Sequence, residues 1–189
     1  MIIEAIDMAL KNIDPRYCEL SKIIYPKISV YKYLAEQKWL ERPFAYEFYH
    51  QFRKLLDVGR FDFGGSVIQA EVDKRYQRIT DLGKIPDFIL HTPNSNEKNL
   101  SVIEFKLASN YGKPLEDDLK KLVTFRRGEL NYKYLVEVII GNNENLKIAW
   151  NRIDSLKTAD GEKIWIIGYD VDTRDTDIRC ILYEPTRAI

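Results

Sequence analysis

Cysteine is nearly absent from this chain: among 189 residues there are two, Cys18 and Cys180, far apart in sequence. They make no CxxC pair, no zinc-ligand spacing and no disulfide framework. Two isolated thiols fit a reducing cytosol, so a cytoplasmic protein is expected. Histidine is as scarce, with two residues, and neither has a spacing that suggests zinc. Nine glycines and seven prolines are too few for a fibrous or disordered chain. No apolar run approaches the roughly 20 residues that span a bilayer. The opening MIIEAIDMALKNIDPRY sets acids among its apolar residues, unlike a signal peptide. A membrane partner is therefore not expected. Net charge is missing too, since 29 basic residues balance 29 acidic ones. A protein that relies on nonspecific phosphate contacts is usually basic. The balance counts against a strong sequence-independent binder, but it leaves room for a basic groove offset by acidic metal ligands. No Gly-x-Ser-x-Gly elbow, phosphate-binding loop or internal repeat occurs.

What is present fits one soluble domain spanning residues 1–189, with 45% hydrophobic and 31% charged residues. Ile2, Ile3, Ile6, Ala9, Leu10 and Ile13 recur at helical period and predict an amphipathic helix ended by Asp14-Pro15. Residues 16–40 read as helical patches broken at Pro26, with Val30, Tyr33, Leu34 and Trp39 packing inward. Pro43 suits a helix first turn. The stripe Phe44, Phe48, Phe52, Leu55, Leu56 then predicts a helix stopped near Gly59. Glu47 and Gln51 stand one turn apart on its flank, and His50 reads as an ordinary surface histidine.

After Gly64-Gly65, Ile68, Ala70 and Val72 alternate with Gln69, Glu71 and Asp73, which predicts a strand with one buried face. Gln69 and Glu71 fall on its polar side. The following Asp73-Lys74-Arg75-Tyr76-Gln77-Arg78 reads first as a charged turn and second as a phosphate grip. Lys113-Pro114 opens a helix whose Leu115, Leu119, Leu122 and Val123 make the apolar stripe. Glu116 to Lys120 and Asp117 to Lys121 are expected as surface pairs at i, i+4, with Gly128 as the stop. YKYLVEVIIG (132–141) predicts a central strand. A short helical or loop piece at 146–150 and a hairpin of 163–171 with 177–184 complete the chain. The acidic turn of that hairpin lacks the Asp-x-Asp-x-Asp-Gly pattern of a calcium loop.

The stretch that organises these elements is IPDFILHTPNSNEKNLSVIEFKL, residues 85–107, two strands joined by a polar turn. Side chains alternate faces along a strand, so Glu104 and Lys106 point the same way, about 6–7 Å apart at their roots. Ile103 and Phe105 point the other way, into a core. Asp87, just after Pro86 on the neighbouring strand, can reach the same spot. Two carboxylates and one ammonium then converge beside a sheet. Hard divalent cations such as Mg²⁺ take one or two carboxylates plus waters, and a lysine beside such an ion can hold and help activate a water. A glycosidase could use Asp87 and Glu104 as its acid pair, but it would need neither Lys106 nor this order of elements.

Pro86-Asp87 followed by Glu104-Phe105-Lys106 resembles the PD-(D/E)xK motif of the restriction-endonuclease-like nuclease superfamily. The resemblance covers about residues 43–141, where the predicted order is helix, strand, strand, strand, helix, strand. It implies an α/β (α+β) fold with an αβββαβ core. A mixed central sheet would be flanked by helices, with N-terminal helices before the core and a C-terminal β-hairpin after it. It implies a metal-dependent nuclease acting on nucleic acid, DNA in the first instance, with Mg²⁺ or Mn²⁺ as cofactor. Asp87 and Glu104 would ligate the metal, with the Phe105 backbone carbonyl as a further ligand. Lys106 would orient the attacking water. A helix before the first core strand often carries an acid aimed at the metal in this superfamily, and Glu47 is the match here, binding a second ion or orienting a metal water. Gln69 and Glu71 are further candidates for the site. A homodimer would supply the two sites that a double-strand break needs. The alternative is a catalytically silent module of the same fold, acting in nucleic-acid binding or protein assembly.

Overall fold

The computed structural model describes residues 1–20, 38–71, 85–93, 98–127 and 130–185. Helix α1 (Ile2–Lys11) forms as the periodicity predicts, burying Ile2, Ile3, Ala5, Ile6, Ala9 and Leu10 along one side. Pro15 opens a single 3-10 turn after it, with the Asp14 carboxylate accepting from the Arg16 backbone N–H. Where helical patches were expected, β1 (Glu19–Leu20) and β2 (Lys38–Trp39) form a small antiparallel ladder. The predicted packing of Val30, Tyr33 and Leu34 and the break at Pro26 lie outside the described residues, as do Val72, the stretch 73–78, the turn at 94–96 and Gly128.

Helix α2 (Glu41–Asp57) begins two residues before the position that Pro43 suggested. Phe44, Phe48 and Phe52 are fully buried, while Leu55 and Leu56 are partly covered. The chain leaves it through Gly59, whose φ of +70° suits a residue without a Cβ and whose N–H bonds the Leu56 carbonyl.

Six strands form one mixed sheet in the order β3 (Val67–Ala70), β4 (Phe88–His91), β5 (Asn99–Leu107), β6 (Tyr134–Gly141), β7 (Glu162–Asp170), β8 (Thr176–Tyr183). The β3/β4, β4/β5 and β7/β8 pairs are antiparallel, and β5/β6 and β6/β7 are parallel. A parallel neighbour cannot be reached by a tight turn. Helix α3 (Lys113–Arg126) makes the crossover from β5 to β6, and α4 (Asn143–Leu156) the one from β6 to β7. Helix α4 is far longer than the predicted 146–150 piece. Asn142 caps it by accepting from the Asn145 N–H, and Leu146, Ala149, Trp150 and Ile153 bury its inner side. The C-terminal hairpin extends the main sheet, so β6 is central, as its apolar run predicted. Strands β3 and β8 are the edges.

The sheet has a helical layer on each face. Helices α1 and α2 cover one face, where Phe44 and Phe48 pack with Phe88, Phe105, Val136 and Val138. Helices α3 and α4 cover the other, where Leu115, Leu119 and Leu122 meet Ile89, Val102, Leu135 and Ile139. Strand β5 serves both: Ile103 and Phe105 enter the first core, and Val102 the second. The α/β class with a mixed sheet between helices is thus the observed architecture.

Candidate active site

The hairpin of β4 and β5 brings Asp87 and Glu104 to the α3 face. Phe88 pairs with Ile103 and Ile89 with Val102, and the same register carried one step further sets Asp87 against Glu104. The Asp87 carboxylate accepts a 2.8 Å hydrogen bond from the backbone N–H of Phe105, the residue between Glu104 and Lys106. Glu104 is 1% exposed, though it sits in a strand whose neighbours are apolar. The parallel register places Glu104 beside Glu137 of β6, which is 0% exposed. Neither carboxylate oxygen of Glu137, nor Oε1 of Glu104, has a hydrogen-bond partner among the described residues. An unpaired buried polar group of this kind is costly, more so when charged.

Helix α3 lowers two charged side chains onto this patch. Lys121 Nζ lies 2.6 Å from Glu104 Oε2, and Asp118 Oδ2 lies 2.8 Å from Lys106 Nζ. Asp118 also faces Lys121, at 3.8 Å through its other oxygen. From α2, Glu41 Oε1 is 3.7 Å from Lys106 Nζ, and Glu41 Oε2 accepts from the Leu107 N–H at 3.1 Å. Glu41, Asp87, Glu104, Asp118 and Glu137 therefore share Lys106 and Lys121 as their ammonium groups.

Burial raises the Asp87 carboxyl above its ordinary range, partly offset by the Phe105 N–H and by Lys121. Burial and then the charge of Asp87 push Glu104 well up, against the pull of Lys121. Glu137 is also held well above the usual carboxyl range, by burial and then by the charges of Asp118 and Glu104. Burial alone would lower Lys106, but its bond to Asp118 and the charges of Asp118, Glu41 and Glu137 reverse that, so it stays firmly protonated. Lys121 is likewise raised, its burial outweighed by Glu104, Asp118 and Asp87.

Asp87 also borders a cleft of about 70 Å³ lined by Glu41, Arg42, Tyr46 and Glu71. Glu71 is at the left-handed φ of 47°, donates its N–H to the Asp87 carbonyl and lies 3.5 Å from Arg42. Its carboxylate is thus placed near Asp87 but turned to an arginine. Gln69 is directed the other way, to His91, with 2.6 Å between Oε1 and Nε2.

Two expected placements are revised. Glu47 does not join Asp87 and Glu104: its carboxylate accepts from Gln51 Nε2 at 2.6 Å and from the Asp14 N–H at 3.3 Å, beside Tyr17, His50 and Lys54. It is six positions on from Glu41, about 9 Å along the helix and well around its circumference. Glu41, at the true start of α2, is the acid of that helix that reaches the patch. The surface pairs of α3 are also replaced: Glu116 pairs with Arg152 of α4, and Lys121 turns inward to Glu104.

The sequence carried signals for the residues it left unused. Asp118 lies within the stripe Leu115, Leu119, Leu122, and Glu137 interrupts the apolar run of β6, positions where an acid is out of place.

Among the described residues, no group of three or more His, Cys, Asp or Glu side chains is arranged to hold a metal ion. Asp87 and Glu104 offer a pair of carboxylate donors, and Glu104 Oε1 has no hydrogen-bond partner among the described residues. An all-oxygen pair completed by waters suits Mg²⁺ or Mn²⁺, which take one or two carboxylates in this way. No helix is long and apolar enough to cross a membrane among the described residues. Comparison with protein-family models, with curated proteins and with solved structures found no match for this chain.

Proposed function

We propose that the protein is a metal-dependent nuclease that hydrolyses phosphodiester bonds in DNA, with the restriction-endonuclease-like core implied by its motif. The observation that carries the reading is the β4–β5 hairpin. It sets Asp87 against Glu104 and ties the Asp87 carboxylate to the backbone N–H of Phe105, between Glu104 and Lys106. The element order α2, β3, β4, β5, α3, β6, with antiparallel, antiparallel and parallel pairing of its four strands, supports the same reading.

Asp87 and Glu104 would hold the ion, with the Phe105 carbonyl as a further oxygen. The chemistry a divalent ion supplies when bound is a more acidic water and a counter-charge for the phosphate. The chain's own part is to hold the carboxylates in a dry, ordered patch and to keep an ammonium beside them. That ammonium would orient the attacking water and stabilise the charge that builds on the phosphate oxygens; as the new P–O bond forms and the ester P–O bond breaks, the water's proton would leave to solvent and the departing oxygen would take one from solvent. Two copies would present two such sites to the strands of a duplex.

A panel of labelled DNA and RNA substrates, incubated with Mg²⁺ or Mn²⁺, tests the proposal. Metal-dependent cleavage by the wild type that is lost in Asp87→Ala is expected, while equal cleavage by both proteins would assign the activity to another site. The second reading, a silent module for binding or assembly, draws on the engagement of both lysines with carboxylates, Lys121 with Glu104 and Lys106 with Asp118. Nucleic acid bound and never cut across the panel would favour it.

A further inference from the structure

We infer that the ammonium serving the Asp87–Glu104 pair is that of Lys121, carried on helix α3, in place of the motif's Lys106. The inference deepens the nuclease reading and rests on it. Lys106 and Glu104 share a face of β5, but Lys106 reaches away along the strand. Its Nζ contacts Asp118 at 2.8 Å and Glu41 at 3.7 Å, joining β5 to α3 and α2. Lys121 occupies the position that the motif leaves to its lysine. Its Nζ is 2.6 Å from Glu104 Oε2 and 3.3 Å from the carbonyl oxygen of Ile85, two residues before Asp87.

The two lysines are sorted by Asp118, whose Oδ2 takes Lys106 and whose Oδ1 faces Lys121. Helix α3 fixes this arrangement because Leu115, Leu119 and Leu122 anchor its inner stripe, and Asp118 and Lys121 lie beside that stripe. Lys121 is thus held by three oxygens at the point where β4 enters the sheet. Its assigned role is to donate a proton-bearing contact to the attacking water and to the phosphate oxygen. Lys106 is then a strut that keeps α2, β5 and α3 in register.

This division makes a prediction that a structural lysine would not. Two cations at Glu104 repel each other. Removing the Lys121 charge should therefore tighten divalent binding while it slows cleavage. A variant that merely loosened the fold would weaken both.

The experiment is calorimetric titration with Mn²⁺ alone, together with cleavage of labelled duplex DNA, for the wild type, Lys121→Met and Lys106→Met. Melting temperatures serve as the fold control. Lys121→Gln, which retains a donor to Glu104 but no charge, stands in if Lys121→Met does not fold. Lys121→Met should bind Mn²⁺ about tenfold more tightly and cleave about a hundredfold more slowly. Lys106→Met should melt at a lower temperature with no gain in Mn²⁺ affinity. Wild-type cleavage that survives in Lys121→Met and is lost in Lys106→Met overturns the inference and leaves the nuclease reading standing. Equal or weaker Mn²⁺ binding by Lys121→Met overturns it as well. If the wild type binds Mn²⁺ but cuts no substrate, the affinity comparison alone decides. A wild type that neither binds Mn²⁺ nor cuts DNA overturns both readings together.

Discussion

The two faces of strand β5 differ sharply. Toward α1 and α2, Phe105 is packed among Phe44, Phe48 and Phe88 with ring centroids 6.0, 5.0 and 5.8 Å away. The rings around Phe105 form an apolar cluster, and dispersion with apolar burial accounts for their packing. Toward α3, the residues on either side of Phe105 are Glu104 and Lys106, set in a patch where acids outnumber lysines and Glu137 has no hydrogen-bond partner among the described residues. Stability alone gives no reason for that second face, since buried ion pairs are often no better than apolar side chains of the same volume, and unpaired buried carboxyls are worse. A strand that alternates an optimised core with a costly polar patch is one whose second face answers to something other than folding.

Substitutions on the two faces can break or sharpen this contrast. Phe105→Ala should cost about 3–5 kcal/mol, since it empties the centre of an aromatic cluster. Denaturant unfolding would show it, and a loss below about 1 kcal/mol would mean that the first face is less tightly packed than the ring distances imply. Glu104→Gln, one residue away, should lower cleavage by about a hundredfold or more, worth about 3 kcal/mol of barrier. Its melting temperature should shift far less than that of Phe105→Ala. Retained full cleavage would remove Glu104 from the site. Smallest in effect is Glu137→Gln, measured with a chelator present. The raised Glu137 carboxyl favours folding below its unfolded pKa, and that contribution is lost as pH rises toward the folded value. The amide cannot ionise, so Glu137→Gln should gain about 1 kcal/mol over wild type at pH 8 and nothing at pH 4. No gain at pH 8 would show that Glu137 has found a partner in solution.

Most of the framework was legible because periodicity is a local property. The helical stripe of α1, the Phe44-Phe48-Phe52 stripe of α2 and the alternation in β5 each appear as read. The carboxylate pair was legible for the same reason, since one hairpin register decides whether Asp87 meets Glu104. What the chain does not display locally is which neighbour lands on a given side. Lys121 read as a partner for Asp117 because both lie on one helix, but the docking of α3 on the sheet turned it to Glu104 instead. Glu47 read as the α2 acid because it flanks the stripe, while the start of that helix, which decides that Glu41 reaches Lys106, is set by tertiary packing. Helix α4 is longer than its local pattern suggests because its apolar positions are spaced among Asn, Lys, Arg and Asp.

The edges of the sheet give the charge balance of the chain a colloidal meaning. With 29 basic and 29 acidic residues, copies of the protein experience no long-range repulsion to keep them apart. Protection against sheet joining sheet has to be local. Strand β3, Val67–Ala70, is only four residues long, and Glu71 just after it takes a left-handed backbone. Strand β8 is twice that length and presents exposed Ile178 and Leu182, yet Asp177 and Arg179 flank Ile178 along the strand, paired to each other at 2.6 Å. The charges beside Ile178 therefore guard the longer of the two edges against strand-to-strand pairing.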